Sequence, residues 1–163
     1  MITTVPNCLS KISGQFLQQP NAVDVSVESV YRIGSEQFVL TKDNNKTHRT
    51  SRKIEPDSEG FWTLDPGAYE VITEAEVAVA NGECGFVISR STLVRNGCFV
   101  CSGIYDSGFK GKIGCTLHVT SGSFKLQKGA RIAQFYLITS DKSDKMYDGS
   151  YGAQSGFDSV RYK

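Results

Sequence analysis

The 163-residue chain has no apolar run near the roughly 20 residues needed to cross a bilayer. Its start, Met1-Ile-Thr-Thr-Val5, lacks the basic residues and apolar core of a secretory leader. Both absences give the expectation of a soluble, intracellular (cytoplasmic) protein with no membrane partner. An excess of one charge is also missing: 18 Lys and Arg stand against 17 Asp and Glu, for a net charge of +1. No overall field therefore draws the chain to nucleic acid, and any phosphate site must be local. Histidine is scarce, with His48 and His118 alone in sequence, so Cys98-Phe-Val-Cys101 has metal-knuckle spacing without two further ligands to match. The five cysteines are odd in number, which favours reduced thiols on buried strands over a disulfide framework. Helix signals are few: Leu9 to Leu17 is a candidate short helix, and Ser91-Thr-Leu-Val-Arg95 a candidate single turn capped by Ser91. There is no internal repeat or low-complexity tract.

What is present is alternation. Ala22–Val27, Ala75–Ala80 and Lys112–Val119 place apolar side chains on every second position, and five shorter apolar runs are punctuated by Gly, Pro, Asn and Asp. Many short strands of this kind fit a barrel or sandwich. The segment Thr41 to Glu59 carries five Lys or Arg residues but no aromatic ring for base stacking, and reads as a solvated loop. From Ser140 the composition shifts to Gly, Ser, Asp and Tyr, which divides the chain into a barrel over 1–139 and a tail over 140–163. Three tyrosines and Phe157 in that tail make docking over a site as good an account as fraying.

Four segments carry groups suited to a phosphate-bearing ligand. Ser89-Arg90-Ser91-Thr92-Leu93-Val94-Arg95 offers two guanidiniums, hydroxyls and the amides of a short helical start, a set that suits a polyphosphate or simply forms a capped turn. Lys128–Phe135 sets the neutral amide of Gln134 inside an apolar run, for a polar ligand or for ladder-edge hydrogen bonds. Asp24 sits in an alternating strand, where it holds waters of a hydrated divalent cation or faces solvent. Gly103-Ile-Tyr-Asp-Ser-Gly-Phe-Lys-Gly111 places Asp106 near the end of a hairpin whose backbone can reach a flat base, either as general base or as turn cap.

In this order the segments resemble the dUTPase and dCTP deaminase superfamily, a trimeric β-barrel family of deoxynucleotide enzymes, over roughly residues 18 to 157. Leu64-Asp-Pro-Gly67 with Glu74–Val79 resembles the deaminase approach to the phosphate motif. "SRSTLVRNG" resembles Arg-Ser-Ser-Leu-x-Arg-x-Gly, "GIYDSGFKG" resembles Gly-x-Ile-Asp-x-x-Tyr/Phe/Trp-x-Gly, and "KGARIAQF" resembles Gly-x-Arg-Ile-Ala-Gln. The resemblance implies an all-β fold, a distorted β-barrel (dUTPase-like jelly roll) with one or two short helices, assembled as a homotrimer. It implies Arg90, Ser91, Thr92 and Gln134 at the phosphates, and Gly103, Ile104, Tyr105 and Phe109 at base and sugar, Phe109 lying flat against C2′. Asp106 would activate water, and Asp24 would touch a hydrated magnesium through water, the Mg2+ being held mainly by the triphosphate. Tyr151 and Gln154 resemble the deaminase ending Tyr-x-x-Gln. Ser155–Ser159 resembles the Gly-Gly-Phe-Gly-Ser tail of dUTPases, with Phe157 as the lid ring.

The deaminases place a glutamate ten residues beyond the hairpin aspartate; here that position is Thr116. A neutral hydroxyl cannot shuttle protons near pH 7 as a carboxylate can. The resemblance therefore implies a dUTP diphosphatase that converts dUTP and water to dUMP and pyrophosphate, limiting uracil in DNA. A dCTP deaminase, mono- or bifunctional, and a non-catalytic deoxynucleotide-binding regulatory relative are the other readings.

Overall fold

The computed structural model of the chain describes residues 2–3, 7–153 and 158. Along it come β1 (Ile2–Thr3), β2 (Lys11–Gly14), β3 (Phe16–Gln18), β4 (Val23–Ile33), β5 (Val39–Leu40), β6 (Lys46–Thr47), β7 (Ser51–Ile54), β8 (Phe61–Leu64), β9 (Gly67–Ala78), β10 (Glu83–Ser89), α1 (Ser91–Arg95), β11 (Cys98–Cys101), β12 (Lys110–Val119), β13 (Phe124–Gln127) and β14 (Arg131–Thr139). The long strands run β14–β4–β9–β12–β11, each antiparallel to its neighbour, and β10 adds to the far side of β14. An isolated bridge between Gly85 of β10 and Tyr105, just beyond β11, brings the two ends together. The result is a distorted β-barrel.

Period-2 patterning decides which side of each strand faces inward. In β12, Ile113, Cys115, Leu117 and Val119 are buried while Lys112, Gly114, Thr116 and His118 are partly exposed. The same alternation in β9 buries Tyr69, Val71, Ala75 and Val77, and in β14 it buries Ile132, Phe135 and Leu137. Each fully buried large apolar side chain contributes about 1.5–3 kcal/mol by leaving water. The core therefore comes from the alternating runs that the sequence marks as strands. No helix among the described residues is long and apolar enough to cross a membrane.

Three local expectations change. Leu9 to Leu17 is not helical: β2 pairs with β9 through Ile12↔Val77, and β3 with β4 through Phe16↔Val25. The open edges of two long strands satisfy the backbone there better than a short isolated helix, which is marginal in water. Ser91 does not cap α1 but is its first residue; Arg90 holds the cap position, with no side-chain cap bond. The basic segment from Thr41 to Glu59 contains β6 and β7, and β7 joins the barrel through Ile54↔Val30 while Trp62 Nε1 donates to Ile54 O at 2.7 Å. It is loop only in part, because Ile54 packs against the core.

Candidate active site

The β11–β12 ladder runs from Cys98↔Val119 to Cys101↔Thr116 and stops. Beyond it Ser102, Gly103 and Ile104 leave β12 until Tyr105 bridges to β10. Because the two strands now follow different neighbours, a gap opens between them. A cavity of about 390 Å³ fills it, with Ser102–Tyr105 on one side and Gly114, Cys115 and Thr116 on the other. That volume falls at the lower end of small-ligand pockets, roughly 300–1,000 Å³.

Tyr105 seals the deep end. Its hydroxyl donates to Gly114 O at 2.5 Å and accepts from the Gly114 N–H at 2.9 Å, so it stands in for a missing ladder strand. Its ring packs edge-on against Phe109 and Phe135, with centroids 5.0 and 5.5 Å away. Phe109 is buried in the core yet also lines the cavity. On the β9 side the wall is Glu70, Val71 and Ile72; Glu70 is the direct cross-strand partner of Thr116 and accepts a short hydrogen bond from Ser51 Oγ.

Asp106 begins the tight turn, whose backbone is fastened on several sides. Phe109 N–H donates to Asp106 O at 3.0 Å, Gly108 N–H to Val79 O at 2.9 Å, and Ser107 Oγ to Glu83 O at 2.8 Å. The Asp106 side chain is exposed and is not part of the cavity lining. It sits near Cys84 of β10: burial, and then the Asp106 charge, push that thiol above its ordinary range.

A second cluster gathers at the other end of β10. Asp24, only 2% exposed, receives Arg131 Nη1 at 3.0 Å, Gln134 Nε2 at 2.9 Å and Arg90 Nε at 3.3 Å. Register explains the convergence, since Gln134 pairs with Asp24 on one side and with Ile88 on the other, two residues before Arg90. Arg90 Nη1 also donates to Arg131 O at 2.9 Å, and Ser91 and Thr92 open α1 beside it. Gln19 Nε2 adds a longer bond at 3.4 Å, so two guanidiniums and two amides share one buried anion. A phosphate oxygen is chemically equivalent to that anion and can take over the outward-facing donors. The strand rise of about 3.3 Å per residue sets the Cys84 end of β10, near Asp106, more than 10 Å from this cluster.

The described part of the tail is docked. Tyr147 N–H donates to Ser107 O at 2.8 Å and Ala153 N–H to Lys110 O at 2.7 Å, on either side of Phe109. Tyr147 packs edge-on to Phe109, and both Tyr147 and Tyr151 line the cavity. The Tyr151 ring also meets Lys46 Nζ, 5.8 Å from its centroid, and His48, at 6.3 Å. Gln154 and Phe157 lie outside the described residues.

Cys98 faces the core and Cys101 the solvent, on opposite sides of β11, so the knuckle spacing does not converge on one point. Cys101 instead has Sγ 3.5 Å from His118 Nε2. Among the described residues no three His, Cys, Asp or Glu side chains form a metal-binding group. Sequence reasoning gave no role to Glu70 or Arg131, and took Tyr147 only as one of the tail's three tyrosines. Arg131 lies inside a segment singled out for Gln134, whereas Glu70 is revealed only by strand register.

A family model described as dCTP deaminase-like matches residues 10–140. A Halobacterium salinarum protein named "Probable deoxyuridine 5'-triphosphate nucleotidohydrolase" is 32% identical over 136 residues, covering 82% of this chain and 81% of its own. An Aeropyrum pernix protein of the same name is 30% identical, with 82% and 83% covered. Among solved structures, native EIAV dUTPase aligns over 88% of this chain and 99% of its own, at TM-score 0.56 and 15% identity. A deaminase of 2'-deoxycytidine 5'-triphosphate from Agrobacterium tumefaciens aligns over 78% and 43%, at TM-score 0.57 and 14% identity. These structures share the barrel fold. The chain belongs to the dCTP deaminase-like family.

Proposed function

We propose that the chain is a dUTP diphosphatase, releasing dUMP and pyrophosphate from dUTP and water. One observation carries the reading: the cavity left where β11 and β12 part is bounded by open hairpin backbone, floored by Phe109 and faced by Thr116. In this reading a flat base lies between the strands, and the ring of Phe109, which lines the cavity, crowds out a ribose 2′ hydroxyl. The names of the archaeal relatives support the same substrate.

Hydrolysis needs an aligned water, a base and charge neutralisation at the leaving pyrophosphate. Asp106 is the base in this reading. Arg90, Arg131, Gln134 and the start of α1 at Ser91 and Thr92 hold the phosphates, and Asp24 positions those donors. In this reading Mg2+ arrives with the triphosphate, and when bound it neutralises phosphate charge. A water bridge from Asp24 to that ion requires exchange of one of the bonds it makes to Arg90, Arg131, Gln134 and Gln19. Asp106 and the Arg90 cluster stand apart on a single chain, and Ile88 is 44% exposed beside the stacked Phe86 and Tyr136 rings. Both features support a homotrimer in which one chain's Asp106 faces another's phosphate cluster.

Incubation with dUTP, dCTP, dTTP and UTP, resolving pyrophosphate from ammonia, tests the reading. Pyrophosphate from dUTP alone is expected. Ammonia from dCTP would replace hydrolysis with deamination, and binding without any product would make the chain a regulatory relative.

A further inference from the structure

One buried carboxylate lies outside both the opening and the Asp24 cluster. Glu83, 1% exposed at the start of β10, accepts hydrogen bonds from Leu9 N–H at 2.9 Å, Ser10 N–H at 2.8 Å and Ser10 Oγ at 2.5 Å, residues 74 and 73 positions away along the chain. Ser10, itself buried, accepts Ala80 N–H at 2.9 Å on the same hydroxyl. The N-terminal arm is thus closed onto both ends of the turn over residues 80–83. A carboxylate kept from water is costly unless hydrogen bonds replace the water, and here the arm supplies them. The strand ladder leaves work for that closure: β10 pairs with β14, but Glu83↔Thr139 is the end pair, and end pairs open first.

What the arm steadies is the seat of Asp106. Tyr105 exchanges two backbone hydrogen bonds with Gly85, both 2.9 Å, and Ser107 Oγ donates to Glu83 O at 2.8 Å, so the residues on either side of Asp106 are fastened to those on either side of Cys84. Val79, just before the 80–83 turn, donates to Phe109 O and accepts from Gly108 N–H, each at 2.9 Å. The Asp106 side chain is exposed, so this backbone frame, and not packing of the carboxylate, sets its place. We infer that Glu83 is a positioning residue: its carboxylate draws the N-terminal arm onto the 79–85 segment and so fixes the turn that carries Asp106. The inference rests on the reading of Asp106 as the base. Displacing a reacting group by about 1 Å costs up to roughly hundredfold in rate, without touching the groups that hold the nucleotide.

Glu83→Gln exchanges one acceptor for a donor that faces the Leu9 and Ser10 N–H groups, and Ser10→Ala removes the hydroxyl that joins Glu83 to Ala80. Both are tested in the full chain by single-turnover hydrolysis of dUTP and by calorimetric binding of α,β-imido-dUTP, which resists cleavage. Each is expected to slow hydrolysis about tenfold to hundredfold while affinity stays within about threefold. Combined with Asp106→Asn, either change should slow the residual reaction by less than about threefold, because misplacing a base that is already missing has no further effect. A rate that stays at the wild-type value, affinity that falls in step with rate, or losses that multiply in the double variants would each overturn the positioning role and leave Glu83 a purely structural acid. Ser10→Ala keeps the carboxylate and decides the matter should Glu83→Gln not fold. Full activity in Asp106→Asn would overturn the base reading instead.

Discussion

The opening beyond Cys101↔Thr116 and the cluster around Asp24 prepare for a ligand in opposite ways. In the first, two strands part, backbone groups lose their ladder, and a space is left that Tyr105 closes only at its deep end. In the second no space is left: Arg90, Arg131 and Gln134 all converge on one buried carboxylate. A neutral base needs only the space between the parted strands and room beside the Tyr147 and Tyr151 rings that line it. A triphosphate must compete for donors already bound to an internal anion, but it finds them oriented. The contrast separates recognition of shape from recognition of charge, and Asp106 belongs to neither region.

The largest effect is therefore expected where the comparison breaks. Asp106→Asn removes the proposed base without touching either region, so turnover of dUTP should fall by about two to four orders of magnitude while calorimetric binding of dUTP persists. Full activity in the variant would remove Asp106 from the chemistry.

Asp24→Asn acts on the charged region alone. It leaves two guanidiniums facing a neutral amide, and loss of charge-assisted hydrogen bonds at a buried site should cost about 2 kcal/mol in urea unfolding. The KM for dUTP should rise while binding of the unphosphorylated nucleoside stays unchanged. A parallel loss of nucleoside binding would show that the two regions are not separate.

This contrast was unevenly legible in the sequence. Alternation in Ala75–Ala80 and Lys112–Val119 identified strands, because burial on one face writes a period of two directly into the chain. Arg90 and Gln134 could be picked out as polar groups next to apolar runs. Their convergence on Asp24 depends on register across β4, β14 and β10, which no single segment encodes. Glu70 was hidden for the same reason, being one acid among several on the outer face of β9. Leu9 to Leu17 misled because its apolar spacing fits a helix as well as two short edge strands, and only the open flanks of β4 and β9 decide between them.

The two thiols that line the opening sharpen its geometry. Cys101 is exposed at its edge, while Cys115 faces inward, and burial, followed by the neighbouring Cys101, pushes the Cys115 thiol up to about 12. The unfolded chain loses that proton near the ordinary value of about 8.5, so the folded state holds it more tightly. The stabilisation is complete below that value and declines as pH rises toward 12, by at most about 1.4 kcal/mol per pH unit. Urea unfolding between pH 8 and 10.5 should therefore show a steeper decline in wild type than in Cys115→Ala. Equal slopes would place the thiol in contact with water.

The smallest expected effect concerns the tail that roofs the opening. Gly152 has φ +101°, and a Cβ there would lie 2.7 Å from Lys110 O and 3.1 Å from the Phe109 ring. Alanine at this position meets both a backbone conformation that L residues disfavour by roughly 1–2 kcal/mol and a fixed carbonyl. Near Gly152 the tail is held by Ala153 N–H to Lys110 O, while Tyr147 N–H to Ser107 O, the reciprocal Asn81–Ser143 pair and Ser140 N–H to Gly82 O fasten it earlier in the chain, so it can yield at Gly152 without disturbing the barrel. Gly152→Ala should leave the urea midpoint in place and raise KM for dUTP by about threefold to tenfold, within that same 1–2 kcal/mol. It should not alter phosphate binding at the Asp24 cluster, which the described tail does not touch. A KM that stays at the wild-type value would mean that the opening binds its ligand without the tail, leaving Tyr147 and Tyr151 as neighbours of the cavity and not as its roof.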